Sequence, residues 1–160
     1  MQKVNLIYGV GDVFDTHLNI NPFADKEVEN KIIRGEVKNL DKYIDDGELD
    51  ELLAYDVIDY ISIADAESCI SNWINKIRVG GKICIGGTDL IEVCKSFSQY
   101  RIDITTANEL LHGSQEKPYL FKKINFTAIG LSEYLSSYFG LKVIKKRVNN
   151  YNMIVEAVRI

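Results

Sequence analysis

In the middle of the chain a β-branched run, Asp56-Val57-Ile58-Asp59-Tyr60-Ile61, precedes an amphipathic segment and then a second apolar run, Lys82-Ile83-Cys84-Ile85-Gly86. The amphipathic segment, 66–78, sets Cys69, Ile70, Trp73, Ile74 and Ile77 at helical spacing on one face, and Gly80-Gly81 closes it. Strand, helix and strand in this order demand a crossover between parallel strands, and therefore a sheet with helices packed on it.

The flanking segments extend this pattern. Runs at 4–8, 17–20 and 35–40 predict three earlier strands, and a short helix is expected near 47–53 within the acidic stretch 41–53. Asp89 is placed to cap a helix carrying Leu90, Ile91, Val93, Cys94 and Phe97, with further helix at 106–111. Thr127 caps 128–139, which Gly140 ends. Asn149-Asn150 joins two closing strands, 141–148 and 151–159, as a hairpin. The expected fold class is α/β, a Rossmann-like three-layer sandwich. Its sheet is mostly parallel and twisted, with a C-terminal antiparallel hairpin strand, and residues 1–160 form a single domain. One conflict stands out: about eight residues separate the first two strands, whereas a parallel crossover ordinarily takes a dozen or more.

Charge is divided along the chain. Residues 1–72 hold 6 Lys and Arg against 16 Asp and Glu, while residues 73–160 hold 13 against 7. The acidic half argues against nucleic acid as a partner across the whole surface. Lys142, Lys145, Lys146 and Arg147 form a local basic strand, which blunts a sheet edge or binds phosphate. No apolar run reaches the ~18 residues of a membrane helix. Cys69, Cys84 and Cys94 lack metal-ligand spacing, so reduced core thiols in a cytoplasmic protein are expected, and no metal site is predicted.

The first strand runs into Gly9-Val10-Gly11, a turn in which a ligand can approach the backbone. A dinucleotide fingerprint needs a third glycine, and that position holds Phe14, which argues against a pyrophosphate-gripping NAD site. His17 and His112 are the two histidines, and neither sits in a nucleophile–base spacing. Asp45-Asp46-Gly47-Glu48 lacks the 12-residue calcium-loop pattern and reads as a solvated acidic loop.

Taken in order, these segments resemble class I S-adenosylmethionine-dependent methyltransferases, and most closely a small group whose N-terminus reads roughly LNLGCG…(I)NVD. The corresponding stretches are Val4-Asn5-Leu6-Ile7-Tyr8-Gly9-Val10-Gly11 and Leu18-Asn19-Ile20-Asn21. Trp73 with Arg78-Val79-Gly80-Gly81-Lys82-Ile83-Cys84-Ile85 resembles that group's EW.RVLKPGG.L.I, and Thr88-Asp89-Leu90-Ile91-Glu92 its PDL.E. Leu110 to Gln115 and Phe126-Thr127 match its C-terminal half in order, as do the helix ending in Gly140 and the last strand.

The resemblance implies S-adenosyl-L-methionine as cofactor, contacted by Tyr8, Gly9, Val10, Gly11, Asn39, Leu40 and Ser62. The acid that holds the ribose hydroxyls falls on Asn19 or Asn21, and the acid near the adenine on Asn39. An amide still bonds a hydroxyl but without the charge-assisted part. The group's Leu-Glu-His after the fourth strand aligns with Ala64-Asp65-Ala66, and Asp65 is the expected catalytic base. The implied acceptor is a small molecule, sugar or protein, recognised by the loop 112–123, an oligomer or a protein partner. The alternative is a degenerate, non-catalytic member of this fold that serves as a binding or structural module, for example in a virion.

Overall fold

The computed structural model describes residues 2–25 and 32–160. Its strands are β1 (Gln2–Leu6), β2 (Leu18–Asn21), β3 (Ile32–Arg34), β4 (Leu49–Tyr55), β5 (Ile77–Thr88), β6 (Lys142–Asn149) and β7 (Asn152–Val158). The helices are α1 (Ile63–Lys76), α2 (Leu90–Ser98), α3 (Ile104–His112) and α4 (Ala128–Glu133), with a wider π turn at Tyr134–Tyr138 continuing α4. The seven strands form one sheet of order β3-β2-β1-β4-β5-β7-β6, parallel from β3 to β5, with β7 antiparallel to both its neighbours. The expected Rossmann-like sheet and its closing hairpin are both present.

One face of the sheet carries the core. Val4 and Leu6, Leu52 and Ala54, Ile83 and Ile85, and Met153, Val155 and Ala157 pack with Ile70 and Trp73 of α1 and Leu131 of α4. The opposite face carries Lys3, Glu51, Lys82, Lys145 and Glu156, joined as ion pairs of 3.0–3.7 Å. The second helix layer of the sandwich is thin there because β1 and β2 are joined without a helix, through residues 7–17. This resolves the length conflict: the strands are parallel, and the crossover is a loop.

Three expected boundaries move. The third strand lies at Ile32–Arg34, ahead of 35–40, whose Val37 and Leu40 enter the core as loop residues. The helix expected near 47–53 is instead β4. Glu48, Asp50 and Glu51 suggest a solvated helix, but Leu49, Leu52, Leu53 and Ala54 are buried between β1 and β5. The fourth strand is therefore over by Tyr55, and the β-branched run 56–61 contains a 3-10 turn, Ile58–Tyr60.

The two expected caps, Asp89 and Thr127, are present, and Ser62 caps a third helix. Asp89, Thr127 and Ser62 accept hydrogen bonds from Glu92, Gly130 and Asp65 N–H groups at the starts of α2, α4 and α1. Helix α1 runs straight into β5, and Arg159 donates to the Ile74, Asn75 and Ile77 carbonyls at its end. Gly80-Gly81 lies within β5 rather than at a helix stop.

Strand β6 forms the sheet edge and bulges between Val143 and Lys145. The bulge puts Lys142, Lys145 and Arg147 opposite Val158, Glu156 and Ile154 on one face, and moves Lys146 to the other. Simple alternation would have paired Lys142 with Lys146. Cys69 and Cys84 are buried and free, whereas Cys94 is exposed, because α2 buries only Val93 and Ser96.

Candidate functional site

The carboxyl ends of β1, β2, β4 and β5 meet in one crevice. β1 leads into a turn in which Gly9 has φ +79° and the Val10 N–H donates to the Tyr8 carbonyl at 3.0 Å. A β-carbon on Gly9 would lie 2.9 Å from the Tyr119 ring, so only glycine fits both the backbone angle and the space.

Asparagines support this turn in place of a helix. Asn21 Oδ1 accepts from the Gly9 and Phe23 N–H groups, each at 3.1 Å, and its Nδ2 donates to the Gly9 carbonyl at 3.2 Å. Asn19 is fully buried. Its Oδ1 accepts from Asn5 Nδ2 and Phe14 N–H, and its Nδ2 donates to the Phe14 and His17 carbonyls. Asn5 also donates to the Asp12 carbonyl at 2.8 Å.

Aromatic rings line the crevice. Tyr8 stacks on Tyr60 with centroids 4.9 Å apart and meets Phe23 edge-on, and Phe23 stacks on Tyr119 at 3.6 Å. A cavity of about 510 Å³ opens beside them, bounded by Tyr8, Asp56, Tyr60, Thr88, Glu109 and Lys122 among others. A smaller one of about 270 Å³ lies under the turn. Asp56 borders both cavities. It has φ +55°, and its N–H donates to the Gly86 carbonyl at 3.1 Å. Burial pushes the Tyr8 and Tyr60 phenols up, and for Tyr60 the Asp56 and Asp59 carboxylates add to the shift, so both rings keep their protons.

Behind the cavity wall Asp59 is fully buried. Its Oδ2 accepts from the Thr88 N–H at 3.0 Å and lies 3.5 Å from Lys122 Nζ. Its Oδ1 has no hydrogen-bond partner and lies 2.7 Å from where a Gly87 β-carbon would stand. Burial raises the Asp59 carboxyl above its ordinary value, against the Thr88 N–H and the Lys122 charge. Lys122 Nζ also donates to Thr88 Oγ1 at 2.6 Å and to the Leu110 carbonyl at 3.0 Å.

The residues singled out from sequence fall into two groups. Tyr8, Gly9, Val10, Gly11, Asn19 and Asn21 gather at the crevice. Asn39, Leu40, Ser62 and Asp65 lie around the start of α1. Leu40 is buried, with its N–H on Asn72 Oδ1, and Ser62 is the α1 cap. Asn39 and Asp65 line a shallow depression with Lys38. Asp65 is half exposed and 3.4 Å from Lys38 Nζ, and its Ser62 hydrogen bond and then Lys38 hold its carboxyl below the usual value. The choice of Asp65 depends on its following the fourth strand. Because that strand is over by Tyr55, the residues that follow it are Asp56 and then Ile58-Asp59-Tyr60. Sequence reasoning missed Asp56, Asp59, Phe23, Tyr119 and Lys122. The correct β4 boundary would have identified the first two, whereas the others reach the site only through tertiary folding. Among the described residues no cluster of His, Cys, Asp or Glu could hold a metal ion, and no helix is long and apolar enough to cross a membrane.

The fold recurs in solved structures. An S-adenosylmethionine-dependent methyltransferase from Archaeoglobus fulgidus superimposes with a TM-score of 0.64 at 9% identity, over 99% of this chain and 86% of the other. The two chains share one fold. The Burkholderia thailandensis 1,6-didemethyltoxoflavin-N1-methyltransferase, solved with 1,6-didemethyltoxoflavin and S-adenosylhomocysteine, matches with a TM-score of 0.58 at 9% identity. That match covers 90% of this chain, which spans 62% of the Burkholderia enzyme's length. A Methanosarcina mazei methyltransferase matches with a TM-score of 0.56 at 12% identity, over 81% of this chain and 67% of its own. No protein-family model and no curated protein sequence matches this one.

Proposed function

We propose that the protein is an S-adenosylmethionine-dependent methyltransferase whose acceptor binds in the 510 Å³ cavity at the ends of β4 and β5. The observation that carries this reading is a cavity bounded by stacked tyrosines and carboxylates at the strand ends of a methyltransferase fold. Such a lining fits the sulfonium end of the cofactor, because aromatic faces and carboxylates both attract an organic cation. Tyr8, Gly9, Val10 and Gly11 would hold that end, with Tyr60 and Asp56 beside it. At the ribose end the residue is Asn21, whose amide is already bonded to Gly9 and Phe23.

When bound, S-adenosylmethionine supplies an electrophilic methyl carbon. The chain's own part is to orient the acceptor and receive its proton. Asp56 takes the role expected of Asp65, as an exposed carboxylate on the cavity wall able to accept a proton from a hydroxyl or amine. The Tyr8 and Tyr60 phenols, which keep their protons, can donate hydrogen bonds to the acceptor.

A second reading, a non-catalytic module within an assembly, is favoured by the committed Asn21 amide and by Tyr119 packed over Gly9. Titration calorimetry with S-adenosylmethionine and S-adenosylhomocysteine separates the two. Binding in which Asp56→Asn keeps S-adenosylhomocysteine affinity but slows methyl transfer by about 10²-fold or more supports the enzyme. The absence of heat at millimolar cofactor supports the module.

A further inference from the structure

The segment between α3 and α4 lies across the crevice, and most of its side chains face solvent. Of residues 114–125 only Leu120 and Ile124 are buried apolar anchors. The segment is fastened at a few points. Tyr119 stacks on Phe23, and Tyr119 and Leu120 close over Gly9. Lys122 reaches Thr88, the Leu110 carbonyl and Asp59, and the Lys123 and Ile124 N–H groups donate to the Asp59 carbonyl at 2.7 and 3.2 Å. At its start Gly113 has φ +85°, and a β-carbon there would meet the Leu120 carbonyl, so glycine permits this closed position.

We propose that residues 114–125 form a strap that lifts as a unit from the glycine turn to admit a ligand, and that the buried Asp59–Lys122 pair is the lock that holds it shut. Asp59 serves the strap with both side chain and main chain, and the ammonium of Lys122 partly balances an acid that otherwise has an unpartnered oxygen. A segment with so few buried apolar contacts opens at a lower free energy than the core beneath it. Removing one partner of a buried charge pair leaves the other uncompensated, which weakens the closed state sharply. The identity of the ligand rests on the methyltransferase reading, whereas the strap and its lock do not.

Hydrogen exchange read by mass spectrometry on the full chain tests this. In the wild type the amides of 120–124 exchange faster than those of α1. In Lys122→Met they accelerate by about tenfold or more while α1 is unchanged. Tyr119→Ala, which leaves the buried pair intact, also speeds strap exchange and raises the association rate of S-adenosylhomocysteine. Should Lys122→Met fail to fold, wild type against Tyr119→Ala decides. Strap and α1 exchanging together at one rate in every folded variant would overturn the proposal. S-adenosylhomocysteine that binds neither chain sinks the methyltransferase reading, and the exchange rates still decide whether the strap lifts apart from the core.

Discussion

Asn21 grips Gly9 with both ends of its side-chain amide, accepting from the glycine N–H at 3.1 Å and donating to its carbonyl at 3.2 Å. This pairing fixes the turn after β1 to the end of β2 where no helix lies between the strands. Asn21 is 6% exposed, so water cannot easily replace the lost bonds. Asn21→Ala is expected to lower stability by about 2 kcal/mol. A thermal melt superimposable on the wild type would show that the clamp holds nothing.

Asp89 joins two helices. One carboxylate oxygen accepts from the Glu92 N–H at 3.0 Å in the first turn of α2, and the other from the Ala128 N–H at 2.7 Å at the start of α4. The residue is almost fully buried. Asp89→Ala removes a cap and leaves a buried N–H unpaired, at a cost of about 2–4 kcal/mol. Asp89→Asn retains one acceptor and should cost less. Equal urea midpoints for the two variants would contradict this double role.

Trp73, the single tryptophan, is fully buried and donates its Nε1–H to the Val37 carbonyl at 2.7 Å. Trp73→Phe strands that carbonyl and leaves a void, so a loss of about 2–3 kcal/mol is expected by denaturant titration. In the wild type, tryptophan emission should shift to the red in the same transition as the circular dichroism change. Separate transitions would mean that loop 35–44 unfolds independently.

Glu51 sets a pH dependence. Burial works against its charge, but hydrogen bonds from Lys82 and His17 outweigh this and hold the carboxyl below its ordinary value. A depressed folded-state value means that its stabilisation is present above the unfolded glutamate value of about 4.3 and is lost as pH falls through the folded one. Glu51→Gln should therefore flatten the stability curve below about pH 5 relative to the wild type. Parallel curves for the two chains would exclude the group.

Much of the fold is legible in the sequence because its signals are local. The α1 stripe of Cys69, Ile70, Trp73 and Ile74 is buried as its spacing implies, and Asp89 and Thr127 cap the helices they precede. The closing hairpin is present, but it turns at Asn150-Tyr151, one residue beyond the expected Asn149-Asn150, because Asn149 still pairs with Asn152. The helix expected at 47–53 and the fourth strand expected at 56–61 are misplaced for one physical reason. In 49–55, acidic residues alternate irregularly with leucines, so local propensity favours a helix. Central placement between β1 and β5 overrides it, since Glu51 to Ala54 find strand partners on both sides.

What the sequence by itself determined is the alternation of elements, the glycine turn and the final antiparallel strand, because each follows from the chemistry of neighbours in the chain. Only the tertiary structure decided the candidate site. It ended β4 at Tyr55 and so moved the acidic candidate from Asp65 to Asp56. It bound Asn21 to Gly9, twelve residues away, and brought Tyr119 and Lys122 across from beyond α3. Those contacts join segments far apart in sequence, and burial and partner geometry exist only once the sheet has brought them together.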